Sequence, residues 1–177
     1  HLLLRTRRLW LIRINMSANK VLAIAKKYAD SGYKEGANND TPEFGGWYGL
    51  NHQPWCAMFV SRVFYDAGFP LKIQTPKGFA YCPTAYAYFL KHQQIVAVKD
   101  GQPGDIIFFK FNKDSKDTTD HVGIIYTVNQ EKQFFNTFEG NTSPDGSNET
   151  NGIGVFKKKR PFLSGKIVAV VRPNWSA

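Results

Sequence analysis

Cysteine is scarce in this chain, with two in 177 residues. A disulfide framework is excluded, because one bridge is the most two thiols can make, and so is a metal cluster built from cysteine. Long hydrophobic runs are missing as well. No stretch approaches the ~20 apolar residues that cross a bilayer, so the chain reads as soluble. Acidic residues are few, 14 against 23 lysines and arginines, and the net charge is +9. Such a field attracts polyanions, whether nucleic acid, anionic lipid or acidic wall polymers. Zinc-ligand spacing, an Arg-rich recognition helix and an aromatic RNA-binding motif are all lacking, which argues against a nucleic-acid partner.

What is present is a chain of 42% hydrophobic and 15% aromatic residues, enough to build one continuous core. There is no internal repeat and no linker to a second domain. The segment 1–15, "HLLLRTRRLWLIRIN", stands apart: it carries Arg5, Arg7, Arg8 and Arg13 and no acid. It lacks the small-residue cleavage site of a secretory signal, and its arginines interrupt the apolar run. It reads as an appended or fused extension ahead of Met16, or as a cationic membrane-disturbing peptide with Trp10 and the leucines entering lipid. Residues 16–177 read as a single domain that stays basic without it.

Ser17 is placed to cap a helix from Ala18 to Asp30, with Val21, Ile24, Ala25 and Tyr28 on one face. Pro54 suits the first position of a second helix ending at Gly68, and a third spans Pro83 to His92. Beyond the turn cluster "DGQPGD", the runs "IIFFKF", "HVGIIYTV", "QFFNTFEG" and "KIVAVV" are β-branched and aromatic, separated by turns. Helices first and strands afterwards predict an α+β fold, with N-terminal helices packed on an antiparallel sheet.

The chemistry centres on "PWCAMFV". In the first helical turn, Cys56 meets unpaired amides and the positive end of the helix dipole, which lower a thiol pKa from its ordinary ~8.5. The alternative is a small apolar residue packed in the core. His121 opens an apolar strand, with Gly123 leaving room nearby, and suits a general base. Glu139 and Asn141 close the next strand, two apart and therefore on one face, where both can orient the imidazole if the strands pair antiparallel. Nucleophile, base and orienter complete a set for acyl transfer. Cys82 is the rival nucleophile, and a Cys56–Cys82 bridge, which would block the chemistry, is not expected.

The blocks "PWCAMFVSRVFYDAG", "QPGDIIFF", "DHVGIIYTV" and "FEGNTS", in that order, resemble the CHAP domain, the cysteine, histidine-dependent amidohydrolase/peptidase. The likeness runs from about Ser17 to Pro173 and leans toward phage endolysins. It implies a papain-like fold that cuts bacterial peptidoglycan, with Cys56 as nucleophile, His121 as base and Glu139 and Asn141 as orienters. The protein would be a monomer, phage-encoded and made in the host cytoplasm or secreted, acting on the cell wall. Contacts with anionic wall polymers or outer-surface lipids would follow from its charge. Some CHAP domains hold calcium in the loop before the nucleophile. Here that loop offers Asn38, Asn39, Asp40 and Glu43, a thin ligand set, so calcium is possible but not required. Gln53 is a candidate second oxyanion donor or a helix cap, and Trp47, Tyr48 and Trp55 are candidate substrate contacts. The runner-up reading is a membrane-active or wall-binding basic protein without hydrolytic activity.

Overall fold

The computed structural model describes residues 2–176. Helix α1 (Leu2–Asp30) buries Ala18, Val21, Leu22 and Ala25, the spacing of a single helical stripe. It begins well ahead of the expected start at Ala18. Ser17 is no cap: its hydroxyl donates to the Arg13 carbonyl one turn back, at 3.0 Å, inside the helix. Leucine and arginine are good helix formers and nothing in the segment breaks the pattern, so the helix crosses positions 15 and 16 without interruption. Residues 2–13 stay exposed. Near Trp10, Arg13 and Ile14 the helix passes over the segment 172–176, leaving a cavity of about 140 Å³ between them.

Helix α2 (Cys56–Asp66) starts two residues later than Pro54 suggested, and the capping residue is Trp55, which makes no side-chain cap bond. Cys56 is therefore the first helical residue. Helix α3 (Cys82–Lys91) likewise opens on a cysteine, with Pro83 in its first turn. Strands β1 (Ile95–Val96), β2 (Ile106–Phe109), β3 (His121–Asn129), β4 (Phe134–Thr142), β5 (Gly154–Pro161) and β6 (Ile167–Val171) follow. They form one sheet in the order β1-β6-β2-β3-β4-β5, with every pair antiparallel. The architecture is the expected α+β one, consistent with a papain-like CHAP fold. Among the described residues, no helix is long and apolar enough to cross a membrane.

Alternation along the strands divides the core in two. Phe108, Val122, Ile124 and Phe138 pack beneath the helices with Phe59, Val63 and Phe64 of α2. Ile107, Phe109, Ile125, Phe135 and Val170 form a second cluster on the other face. Each fully buried phenylalanine is worth roughly 1.5–3 kcal/mol of transfer free energy, so both faces of the sheet are firmly held. Strand β5 went unread in the sequence because its centre is "KKKR". Lys158 and Arg160 are nonetheless buried while Lys157 and Lys159 stay exposed. Exposed lysines suit an edge strand, which must discourage pairing with other chains.

Candidate active site

Cys56 reaches the end of the sheet because a glycine lets it. At Gly140 of β4, a Cβ would lie 2.6 Å from the Phe59 Cβ and 2.8 Å from the Trp55 ring, so only a bare backbone allows α2 to close this far onto the strand. The thiol then sits at the helix N-terminus, beside the Ala57 backbone N–H and the His121 ring. It is 5% exposed, so the sulfur meets solvent only at its edge.

His121 is fully buried at the first position of β3. Its ring packs beside Phe109 and Phe111, at centroid distances of 5.9 and 5.8 Å. Nε2 is 2.8 Å from Oε1 of Glu139. Nδ1 is buried with no hydrogen-bond partner among the described residues, and so is the nitrogen left for the thiol. Glu139 fits beside His121 because residue 123 is glycine: a Cβ there would lie 2.5 Å from the Glu139 Cγ.

The carboxylate is gripped from its other side. Arg160 donates through Nε at 2.9 Å and through a terminal nitrogen at 2.6 Å, a bidentate pair, and the Thr137 hydroxyl donates as well. The Arg160 guanidinium also meets Glu149 and lies 5.0 and 4.9 Å from the ring centres of Phe109 and Phe111. A line of bonded side chains therefore runs from His121 through Glu139 to Arg160 and Glu149, with Cys56 beside the imidazole.

The protonation states follow from this line. Cys56 is held well below the ordinary thiol range, by its hydrogen bond with Cys82 first and then, against the cost of burial, by the neighbouring His121. Burial alone would lower the His121 pKa, but its bonds to Cys56 and Glu139 outweigh that and push it up to about 9. Burial would likewise raise Glu139, yet Arg160 and His121 hold it at about 2. At neutral pH the site is a thiolate beside an imidazolium, backed by a carboxylate. A thiolate so placed can attack a carbonyl, and the imidazolium can protonate a departing amine.

Other residues singled out in the sequence lie elsewhere or act differently. Asn141 does not share the Glu139 face: its backbone is left-handed (φ 55°), and the β4–β5 register shifts between Glu139 and Thr142. Its amide donates to the Thr150 carbonyl at 3.1 Å, while its Oδ1 is buried without a partner among the described residues. The group that orients the imidazole is thus Glu139. Trp55 is fully buried, stacked on Phe44 at 5.3 Å with its indole N–H on Glu35, and is core rather than a substrate contact. Trp47 is half-buried with Arg62 and Lys77 lying 5.0 and 5.2 Å from its ring centre, and Tyr48 next to it is half-buried too. Gln53 is exposed and does not cap α2.

Asp40 and Glu43 do not converge on a cation. The Asp40 carboxylate accepts from the Asn51 amide and the Glu43 carboxylate from the Tyr33 hydroxyl, each at 2.6 Å. No group of three or more histidine, cysteine, aspartate or glutamate side chains placed to hold a metal ion occurs among the described residues. The pair does not fit a calcium site, which requires several oxygens around one point.

Two features escaped sequence reasoning. Arg160 was hidden within a lysine run on an unrecognised strand. Cys82, weighed as a rival nucleophile or an unexpected bridge partner, lies with its sulfur 4.0 Å from that of Cys56.

A cysteine–histidine pair of this kind, at a helix N-terminus facing a strand, marks a hydrolase of the amidase/peptidase type. The model of the CHAP domain family matches residues 47–141, more than half of the chain and the span that holds Cys56, His121, Glu139 and Asn141. The chain belongs to that family, the cysteine- and histidine-dependent amidohydrolases and peptidases, whose substrate type is peptidoglycan. No curated protein matches it.

Proposed function

We propose that this protein is an endolysin-like peptidoglycan hydrolase that cuts an amide bond of the wall peptide through an acyl-enzyme on Cys56. The observation that carries the reading is the buried line Cys56–His121–Glu139, with the imidazole held through Nε2 so that Nδ1 serves the sulfur. The Cys56 thiolate attacks the amide carbonyl carbon, and the electron pair moves onto oxygen. The Cys56 backbone N–H, at the start of α2, donates to that oxyanion, and Gln53, exposed three residues upstream, is positioned in sequence to add a second donor. One such donor is worth about 3 kcal/mol of barrier. His121 then gives its Nδ1 proton to the leaving amine, takes one from water, and the thioester is hydrolysed. Trp47 and Tyr48 border the loop ahead of α2 and would meet the sugar or stem peptide.

The enzyme would act as a monomer on the cell wall, delivered by phage lysis or secretion, with its +9 charge drawing it to anionic wall polymers. The test is turbidity loss of purified peptidoglycan. Wild type clears it and Cys56→Ala does not; equal clearing by both sinks the reading. Mass spectrometry of the digest assigns the bond: a new N-terminal L-alanine means amidase, and a freed cross-bridge amine means endopeptidase.

A membrane-active reading of residues 1–15 is less well supported. Round the helix, Arg7 falls in one stripe with Leu3, Leu11 and Ile14, so charge and apolar surface do not separate into two faces as a membrane-lying helix requires. Replacing Arg5, Arg7 and Arg8 by glutamine should leave clearing of purified peptidoglycan unchanged.

A further inference from the structure

Helices α2 and α3 each begin with a buried cysteine, and the two sulfurs are 4.0 Å apart, within reach of an S–H···S hydrogen bond. Either atom has the chemistry to donate, so the direction is decided by what surrounds each sulfur. Cys56 is followed by Ala57, whose backbone N–H lies in the first helical turn and has no intrahelical partner, and it has His121 at hand. Cys82 occupies the same first helical position but is followed by Pro83, which has no N–H to offer. Its charged neighbours are Asp117 and Asp120, whose carboxylates oppose a negative sulfur. The environment thus favours negative charge on Cys56 and a retained proton on Cys82.

We infer that Cys82 is a positioning residue for the nucleophile: its S–H donates to the Cys56 sulfur, fixing that sulfur as a thiolate in the attacking position. The inference rests on the reading of Cys56 as nucleophile and adds a role for the second thiol, which makes no covalent bond in the reaction. A cysteine that merely filled space would be replaced equally well by alanine. A donor would be replaced by serine but not by alanine.

The experiment is site-resolved alkylation of the full chain by iodoacetamide as a function of pH, read by peptide mass spectrometry, for wild type, Cys82→Ala and Cys82→Ser. In wild type, Cys56 reacts at neutral pH and below while Cys82 stays unmodified until strongly alkaline conditions. Cys82→Ala moves the Cys56 midpoint upward by about one pH unit, the scale of one hydrogen bond to a charged group. Cys82→Ser restores most of that shift. On peptidoglycan, Cys82→Ala lowers kcat with KM unchanged, and Cys82→Ser recovers it. An unmoved midpoint in Cys82→Ala overturns the inference. So does equal pH dependence of the two thiols in wild type, a result that needs no variant to fold. Alkylation requires no wall substrate, so a protein with the predicted midpoints that fails to clear peptidoglycan would refute the proposed function and leave this inference standing.

Discussion

His121 binds Glu139 through Nε2, with 2.8 Å between that nitrogen and Oε1, and both side chains are fully buried. The bond fixes the ring's orientation and leaves Nδ1 to exchange a proton with Cys56. The Asn141 amide nitrogen is engaged with the Thr150 carbonyl, and no bond joins Asn141 to the imidazole among the described residues.

Glu139→Gln should therefore be severe. It removes the counter-charge of the imidazolium and leaves Arg160 with Glu149 as its remaining acidic partner. Clearing of peptidoglycan should fall about 100-fold or more, and urea unfolding should show a loss of about 3 kcal/mol. Retention of half the wild-type rate would remove Glu139 from the scheme.

Arg160 is the least expected member of the site. Its two parallel bonds to Glu139 depend on the planar guanidinium fork, so Arg160→Lys should not rescue what Arg160→Leu loses. Both should lower the melting temperature and the clearing rate together. A lysine variant with wild-type values would mean that charge alone suffices.

Activity should decline on the alkaline side. His121 holds its proton up to about 9, so the general acid for the leaving amine is present at neutral pH and is lost as pH rises through that value. Initial clearing rates at constant ionic strength should fall with a midpoint near 9. His121→Ala should cost as much as Cys56→Ala, and the double variant no more than either, since the two act as a unit.

Acid should unfold the protein through Glu139. The native carboxyl titrates at about 2, below its ordinary 4.5. The folded state thus binds this proton less tightly than the unfolded chain. Its contribution to stability is complete above 4.5 and is lost as pH falls toward 2. Melting temperatures followed through that window should drop in wild type. The drop should be shallower in Glu139→Gln.

Chelation should leave the rate unchanged. Asp40 and Glu43 are committed to Asn51 and Tyr33 rather than to a common point. Clearing in excess EDTA, against clearing with added calcium, checks this directly, and recovery on adding calcium would reverse the conclusion.

How far the sequence could be read depended on what kind of signal each residue gave. Cys56 and His121 open their elements and Glu139 lies within β4, all inside strongly patterned apolar runs, so period and turn chemistry were enough to bring them together. Arg160 gave no such signal. In "KKKR" the alternation of buried and exposed positions is written entirely in cations, and only the pairing of β5 with β4 turns two of them inward. The placing of Asn141 failed because one left-handed residue interrupts the two-residue repeat, and a local φ is invisible to a pattern of side chains. Trp55 was ambiguous for the same reason that it is useful: a large ring beside a nucleophile can cover substrate or anchor the helix that carries the thiol, and here Phe44 has claimed it.

The passage of α1 over the segment 172–176 ties the first helix to the residues that follow the last strand. Trp10, Arg13 and Ile14 lie across from Pro173 and Trp175, and Trp175 is stacked on Phe64 of α2, the helix that begins with the thiol. A change at Trp10 or Ile14 is accordingly passed through Trp175 to Phe64 and the helix that carries the thiol.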